Sequence, residues 1–169
     1  MNPEEFTIRR TDEADWREVR GLRLQMIRDT PDACAETLAD ALAHDESEWR
    51  LRGRRGTAEH GIQLAAISGT GQWAGTMGGF VPDSAAGPLL VGVFVVPEWR
   101  GSRVGLADAL LGSVEEWARA EGGRLTLHVH EDNAHAIRFY ERHGYTATGH
   151  SVEYNVNPAK RELEMLKLL

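Results

Sequence analysis

Apolar positions along the chain change period several times, and the changes mark out its elements. Phe6-Thr7-Ile8 alternates and predicts a short first strand. Trp16, Val19, Leu22 and Met26 recur at helical spacing, with Thr11 or Asp12 placed to cap the helix and Thr30-Pro31 to stop it. The same period through Leu38, Ala41, Leu42 and Trp49 predicts a second helix from about Glu36 to Leu51, followed by a loop from Arg52 to Gly61. Ile62 to Ser68 and Trp73 to Phe80 flank Gly69-Thr70-Gly71-Gln72 and predict a hairpin. Pro82 to Pro88 reads as a loop. Leu89 to Val96 is almost uniformly apolar and rich in valine, the composition of a strand covered on both faces. Pro97, which cannot donate to a ladder, ends it.

A longer helix follows, with Ala107, Leu110, Leu111, Val114, Trp117 and Ala118 forming one apolar stripe closed by Gly122-Gly123. Leu125 to Val129 alternates as a strand. Asn133 is placed to cap a last helix, in which Ala136, Ile137 and Tyr140 share a face and Gly144 ends the turn. Tyr145 onward and Glu162 to Leu168 predict closing strands.

A length of 169 residues suits a single domain over 1–169. Acidic residues outnumber basic ones, 26 to 19, and the net charge of -7 argues against a nucleic-acid partner, which wants a basic face. The charge is uneven: residues 1–48 hold 13 acidic and 6 basic side chains, and the rest of the chain is neutral. The one cysteine, Cys34, excludes an internal disulfide and a thiolate metal cluster, and between Ala33 and Ala35 it reads as a buried structural thiol. Met1 to Arg10 lacks the apolar segment of a secretory signal. The longest apolar run falls far short of the roughly 20 residues of a membrane span. The expectation is a cytoplasmic protein with no membrane partner.

Between Val91 and Leu111 the order is strand, glycine-bearing turn, helix start. The first amides of a helix have no internal partner and lie at the positive end of its dipole, so they suit an anion. Arg100 and Arg103 add positive charge. The turn lacks the Gly-Lys-Ser/Thr ending of a nucleotide-hydrolysing P-loop and the first G-x-G of a dinucleotide turn. Taken alone it is equally a plain strand-to-helix turn.

The stretch Val93-Phe94-Val95-Val96-Pro97-Glu98-Trp99-Arg100-Gly101-Ser102-Arg103-Val104-Gly105-Leu106-Ala107 resembles the acetyl-CoA signature of the GNAT N-acetyltransferase superfamily. That signature is a V-x-V-x-P strand, then R/Q-x-x-G-x-G/A, then a helix. Further on, Asn133-x-x-Ala136-x-x-x-Tyr140-x-x-x-Gly144-Tyr145 resembles the second motif of the same family. The likeness extends from Phe6 to Leu169 and takes in Pro31-Asp32-Ala33 and Trp49. It implies an α+β GNAT fold: a mixed, mostly antiparallel sheet with helices on both faces and acetyl-CoA wedged between two splayed central strands. It also implies transfer of an acetyl group from acetyl-CoA to a primary amine by direct attack in a ternary complex, with no metal.

Site roles follow from the resemblance. The amide of Val93 would face the thioester oxygen, and Val95 would pair with the pantetheine arm. Arg100, Gly101, Ser102, Arg103, Val104, Gly105 and Leu106 would hold the pyrophosphate. Asn133 would cap its helix and touch the pantetheine arm, and Tyr140 would protonate the departing thiolate. Arg103 stands where the motif usually has its middle glycine. A positive φ there would strain an arginine by roughly 1 kcal/mol, whereas its guanidinium can reach a CoA phosphate.

The base is the open position, because Leu89-Leu90-Val91 carries no carboxylate. Candidates are His128, His130, Glu131 and Glu153, with His130 taken as the base; His128 and His130 share one face of their strand. The same pair with Glu131, Asp132 and His135 has a metal-like spacing but no third ligand at a telling distance, so no metal is expected. In the family the region from Arg20 to Trp49 would frame the acceptor, a small amine or a peptide. Its acidic excess predicts a cationic acceptor. Members of the family often form homodimers. The alternative function is a non-catalytic acyl-CoA-binding sensor or partner module.

Overall fold

The alternating segments β2 (Gly61–Ser68) and β3 (Trp73–Phe80) pair as an antiparallel hairpin. The computed structural model describes residues 5–101 and 103–169. Around the hairpin lie β1 (Phe6–Arg10), β4 (Leu89–Val95), β5 (Arg124–His130), β6 (Thr146–Tyr154) and β7 (Asn157–Leu168). The seven strands form one sheet in the order β1-β2-β3-β4-β5-β7-β6. Every neighbouring pair is antiparallel except β4 and β5, which are parallel.

Helix α4 (Leu106–Glu121) packs on one face. A Cβ at Gly75 would lie 2.8 Å from the Leu106 side chain, and one at Gly79 would lie 2.6 Å from the Trp117 ring. Thr76, the alternate residue of β3, instead faces Leu22 and Met26 of α1 (Trp16–Asp29) on the opposite side. The apolar stripe of α4 is buried as its period requires, with Leu106, Leu110, Leu111, Val114 and Ala118 almost inaccessible.

Local chemistry changes two predicted elements. Asp12, not Thr11, makes the cap: its carboxylate accepts from the Ala14 amide at 2.8 Å and starts the 3-10 turn Glu13–Asp15 that leads into α1. Thr11 is buried, and its hydroxyl donates to the Gly53 carbonyl at 2.8 Å. The helix predicted from Glu36 to Leu51 is two helices, α2 (Leu38–Ala43) and α3 (Glu46–Arg54). The break lies at extended His44, because the Asp45 carboxylate accepts from the Glu48 amide and starts a new helix. Helix α3 then runs on into the predicted loop, with a 3-10 turn at Arg55–Thr57.

Strand β4 is not covered on both faces throughout. Leu90, Phe94 and Val95 are buried, while Leu89, Val91, Gly92 and Val93 are only partly covered. The last helix, α5 (Ala134–Arg142), starts at Asn133, whose side-chain oxygen accepts from the Ala136 amide at 3.1 Å.

Candidate active site

Two strands part at the centre of the sheet. β4 and β5 are joined at the register pair Leu89–Thr126, with the Thr126 amide donating to the Pro88 carbonyl at 3.1 Å. Beyond it, β4 continues to Val95 and β5 to His130 with no further pairing among the described residues. On its other edge β4 is bulged: Thr76 pairs with Phe94 and Gly78 with Val91, so Gly92 and Val93 together oppose Met77. Gly92 takes φ 63°, a left-handed conformation that glycine accepts without strain. The bulge re-aims the backbone around Val93 at the place where the strands separate.

The turn after β4 begins with the 3-10 segment Pro97–Trp99 and ends at the N-terminus of α4. Its left-handed positions are glycines, Gly101 at φ 110° and Gly105 at φ 72°. No non-glycine residue among those described has a positive φ, and the strain expected at Arg103 is not among the features of the turn. Gly105 is the N-cap of α4 and brings no side chain to bond the first amides, which stay available to an external acceptor. Arg103 is exposed at the turn. Ser102 lies outside the described residues. Val104 packs on the core, and Leu106 is buried beneath the turn.

Arg100 has a different occupation from the one expected. Its Nε donates to the Val95 carbonyl at 2.8 Å, and its Nη2 pairs with Asp29 at the end of α1. The side chain thus ties the turn to the first helix, and it occupies one lone pair of the Val95 carbonyl.

Helix α5 lies beside the start of α4: His143 Nε2 is 2.7 Å from Asp108 Oδ1, in the first turn of α4. One turn earlier, Tyr140 is 5% exposed, with its ring edge-on to Phe139 and Tyr145. Burial pushes its phenol above the ordinary tyrosine range. Its hydroxyl makes no hydrogen bond to the described residues, so its proton is uncommitted.

A cavity of about 510 Å³ opens between α1, α3 and the sheet, against Leu89–Gly92 of β4. Its apolar wall includes Val19, Leu22, Met26, Trp73 and Leu90. Its charged lining is Arg23, Arg52 and Arg55 with Glu36 and Glu162, beside His128. Glu36 accepts from Arg23 Nε and from Arg52 Nη1, each at 2.7 Å, and lies 3.2 Å from His44 Nε2. Burial would raise its carboxyl, but the bonds from Arg52 and Arg23 outweigh burial and bring it down to about 2.

The sequence matches the acetyltransferase (GNAT) family over residues 24–145. The chain belongs to this family. Over 73 residues it is 41% identical to the acetyltransferase Atu2258 of Agrobacterium fabrum, a match that covers 43% of the chain and 51% of the relative. The chain therefore spans about half the length of that relative. Among solved structures, a GNAT-family acetyltransferase from Streptococcus pneumoniae superposes with TM-score 0.76 at 22% identity, over 98% of this chain and 100% of that one. The acetyltransferase yncA of Salmonella typhimurium, solved with its cofactor acetyl-CoA, superposes with TM-score 0.75 at 19% identity, over 98% and 94%.

Within this GNAT fold, His130 does not occupy the place expected of a base. It is 5% exposed, its ring packs edge-on against Tyr154, and its Nδ1 accepts from the Asp132 amide at 3.1 Å. That bond occupies the Nδ1 lone pair, and the packing against Tyr154 keeps the ring out of the cavity lining. His128, two residues earlier, is the histidine that lines the cavity, with Nε2 at 3.5 Å from Glu164. Glu162 faces the same way: register pairs His130–Glu162 and His128–Glu164 place all four residues on one face of the sheet. Nothing local to its stretch of sequence marks Glu162. It reaches the cavity only through the pairing of β7 with β5. Gly92 did leave a signal, since a glycine inside an apolar strand marks a bulge.

The cationic acceptor expected from the acidic N-terminal region is not supported by the cavity. Of the acidic residues in 1–48, Glu36 is the one in the lining, and two arginines already neutralise it.

Proposed function

We propose that this GNAT-family protein transfers an acetyl group from acetyl-CoA to a primary amine by direct attack within a ternary complex. The observation that carries the reading is the gap between β4 and β5, with an uncapped helix start at one end and the cavity at its flank. The gap suits an extended arm, and the glycine turn with its free amides suits a pyrophosphate. The CoA thioester supplies an activated acyl carbon; the chain's own groups position it and move protons.

The amine nitrogen bonds to the acetyl carbon, and the carbon–sulfur bond breaks. The Val93 amide, in the bulge, donates to the acyl oxygen as it gains charge. Tyr140 gives the departing sulfur its proton. With a lysine-like pKa near 10.4, only about one acceptor amine in a thousand is neutral near pH 7, so the ammonium must lose a proton first. Glu162, in the cavity lining, takes the place assigned to His130 and receives that proton. Asn133 holds the start of α5 and thereby the position of Tyr140.

Two measurements test the reading. CoA release is followed with a panel of primary amines; acetyl-CoA binding without turnover on any of them would favour the non-catalytic sensor. Because Arg100 is committed to Asp29 and Val95, Arg103 is the arginine of the turn that remains for a phosphate. Arg103→Ala is expected to raise KM for acetyl-CoA by about threefold to tenfold, with kcat unchanged and the loss smaller at high salt. An unchanged KM at low salt would remove Arg103 from the cofactor site.

A further inference from the structure

One side-chain amide in the cavity is held by its nitrogen and has its oxygen left over. Gln63 of β2, Gly78 of β3 and Val91 of β4 lie in one row across the sheet. Gln63 and Val91 line the cavity, with Thr76 and Gly92 beside them. Gly78 has no side chain, and the Gln63 amide lies across it: a Cβ at Gly78 would stand 2.5 Å from Gln63 Oε1. A Cβ at Gly92 would lie 4.0 Å from the same oxygen. These two glycines leave open the path by which a residue of β2 reaches the bulge of β4, next to the Val93 amide.

Hydrogen bonding decides which end of the amide is committed. The Thr76 hydroxyl has one hydrogen and donates it at 2.8 Å to the Leu64 carbonyl, an oxygen that can only accept. Toward Gln63 the hydroxyl must therefore accept, which it does from Nε2. The amide is fixed with its nitrogen on Thr76, and Oε1 takes no hydrogen bond from the described residues. An oriented acceptor beside the bulge, unused by its own chain, matches a ligand that brings an N–H.

An attacking amine brings that donor. A primary ammonium has three hydrogens, and the first leaves as a proton to Glu162 before attack. The freed lone pair forms the carbon–nitrogen bond, and the carbon–sulfur pair departs on sulfur, which takes the proton of Tyr140. A second proton leaves the nitrogen as the intermediate collapses and in net restores Tyr140. The third hydrogen stays in the product amide. We propose that Gln63 Oε1 accepts this retained N–H, turning the nitrogen lone pair toward the acyl carbon and selecting primary over secondary amines, with Thr76 as the positioning residue of the amide. The proposal rests on the acetyl-transfer reading above. A secondary ammonium loses both of its hydrogens in the same two steps and leaves Oε1 without a donor.

The test compares propylamine and benzylamine with their N-methyl derivatives in the full chain. Gln63→Met keeps the length of the side chain and removes the acceptor. It is expected to lower the primary-to-secondary ratio of kcat/KM by about threefold to tenfold, the worth of one hydrogen bond. Thr76→Val should lower the ratio in the same direction, and Thr76→Ser, which keeps the hydroxyl, should preserve it. An unchanged ratio in Gln63→Met, or an equal loss on both classes of amine, would overturn the proposal. A second arm is independent of turnover. N-propylacetamide and N-methyl-N-propylacetamide are added to isotope-labelled protein with CoA present, and the Gln63 side-chain amide signal, assigned by its loss in Gln63→Met, is followed by NMR. The signal is expected to move with the first compound, which has an N–H, and not with the second. That result upholds the Gln63 site even if no amine is acetylated, in which case only the acetyl-transfer reading fails. A signal that moves with neither compound, or equally with both, overturns the proposal.

Discussion

Tyr140→Phe is expected to lower kcat by about 100-fold, at the lower end of what a positioned general acid contributes, while leaving KM for acetyl-CoA unchanged. The substitution removes a hydroxyl with no partner among the described residues and keeps the ring that packs against Phe139 and Tyr145, so the melting temperature should move little. Burial raises the phenol, and the acid form therefore persists beyond the ordinary tyrosine range near 10. The wild type should accordingly keep its kcat at alkaline pH values where an exposed tyrosine would have ionised. Steady-state kinetics across pH, with a thermal melt of each protein, makes the check. A variant with undiminished kcat would reduce Tyr140 to a core aromatic.

Glu36→Gln is expected to cost about 3 kcal/mol at neutral pH, the free-energy equivalent of a carboxyl brought from 4.5 to about 2. The sign follows from the depressed value: the stabilisation is complete above the unfolded pKa and is lost as pH falls through the folded one. Wild-type stability should therefore decline between pH 4.5 and about 2, and the variant should decline less over that range, keeping only the share of other lowered carboxylates such as Asp15. Its melting temperature at pH 7 should fall by roughly 6 to 12 °C, given about 2–4 °C per kcal/mol for a domain of this size. Urea unfolding at neutral and acidic pH tests both statements. Equal stability of the two proteins at pH 7 would show that Arg23 and Arg52 hold the cavity wall without their carboxylate.

Reading the elements from the chain worked where the determining interactions are local. The stripe of α4, the Asn133 cap and the hairpin depend on residues within a few positions of one another, and each stands where its period placed it. The helix from Glu36 to Leu51 did not, because apolar spacing runs straight through His44 while the Asp45 cap starts a new helix. Arg100 and Arg103 look equivalent as charges in a turn. Only the approach of α1 shows that Asp29 has taken the first of them.

The acidic excess of the first 48 residues is a true property of the sequence, and it gave no guide to the charge of the cavity. The sequence by itself determined the strand-turn-helix that suits a pyrophosphate, the placement of Tyr140 on the last helix, and membership in the GNAT family, since these rest on short-range spacing. Tertiary structure alone decided which charges cancel. Glu36 meets Arg23 and Arg52 from 13 and 16 residues away, Glu162 is carried to the cavity by strand pairing, and Arg55 is left over. Summed charge ignores distance, whereas neutralisation of a buried group requires contact at about 3 Å, which only the folded chain supplies.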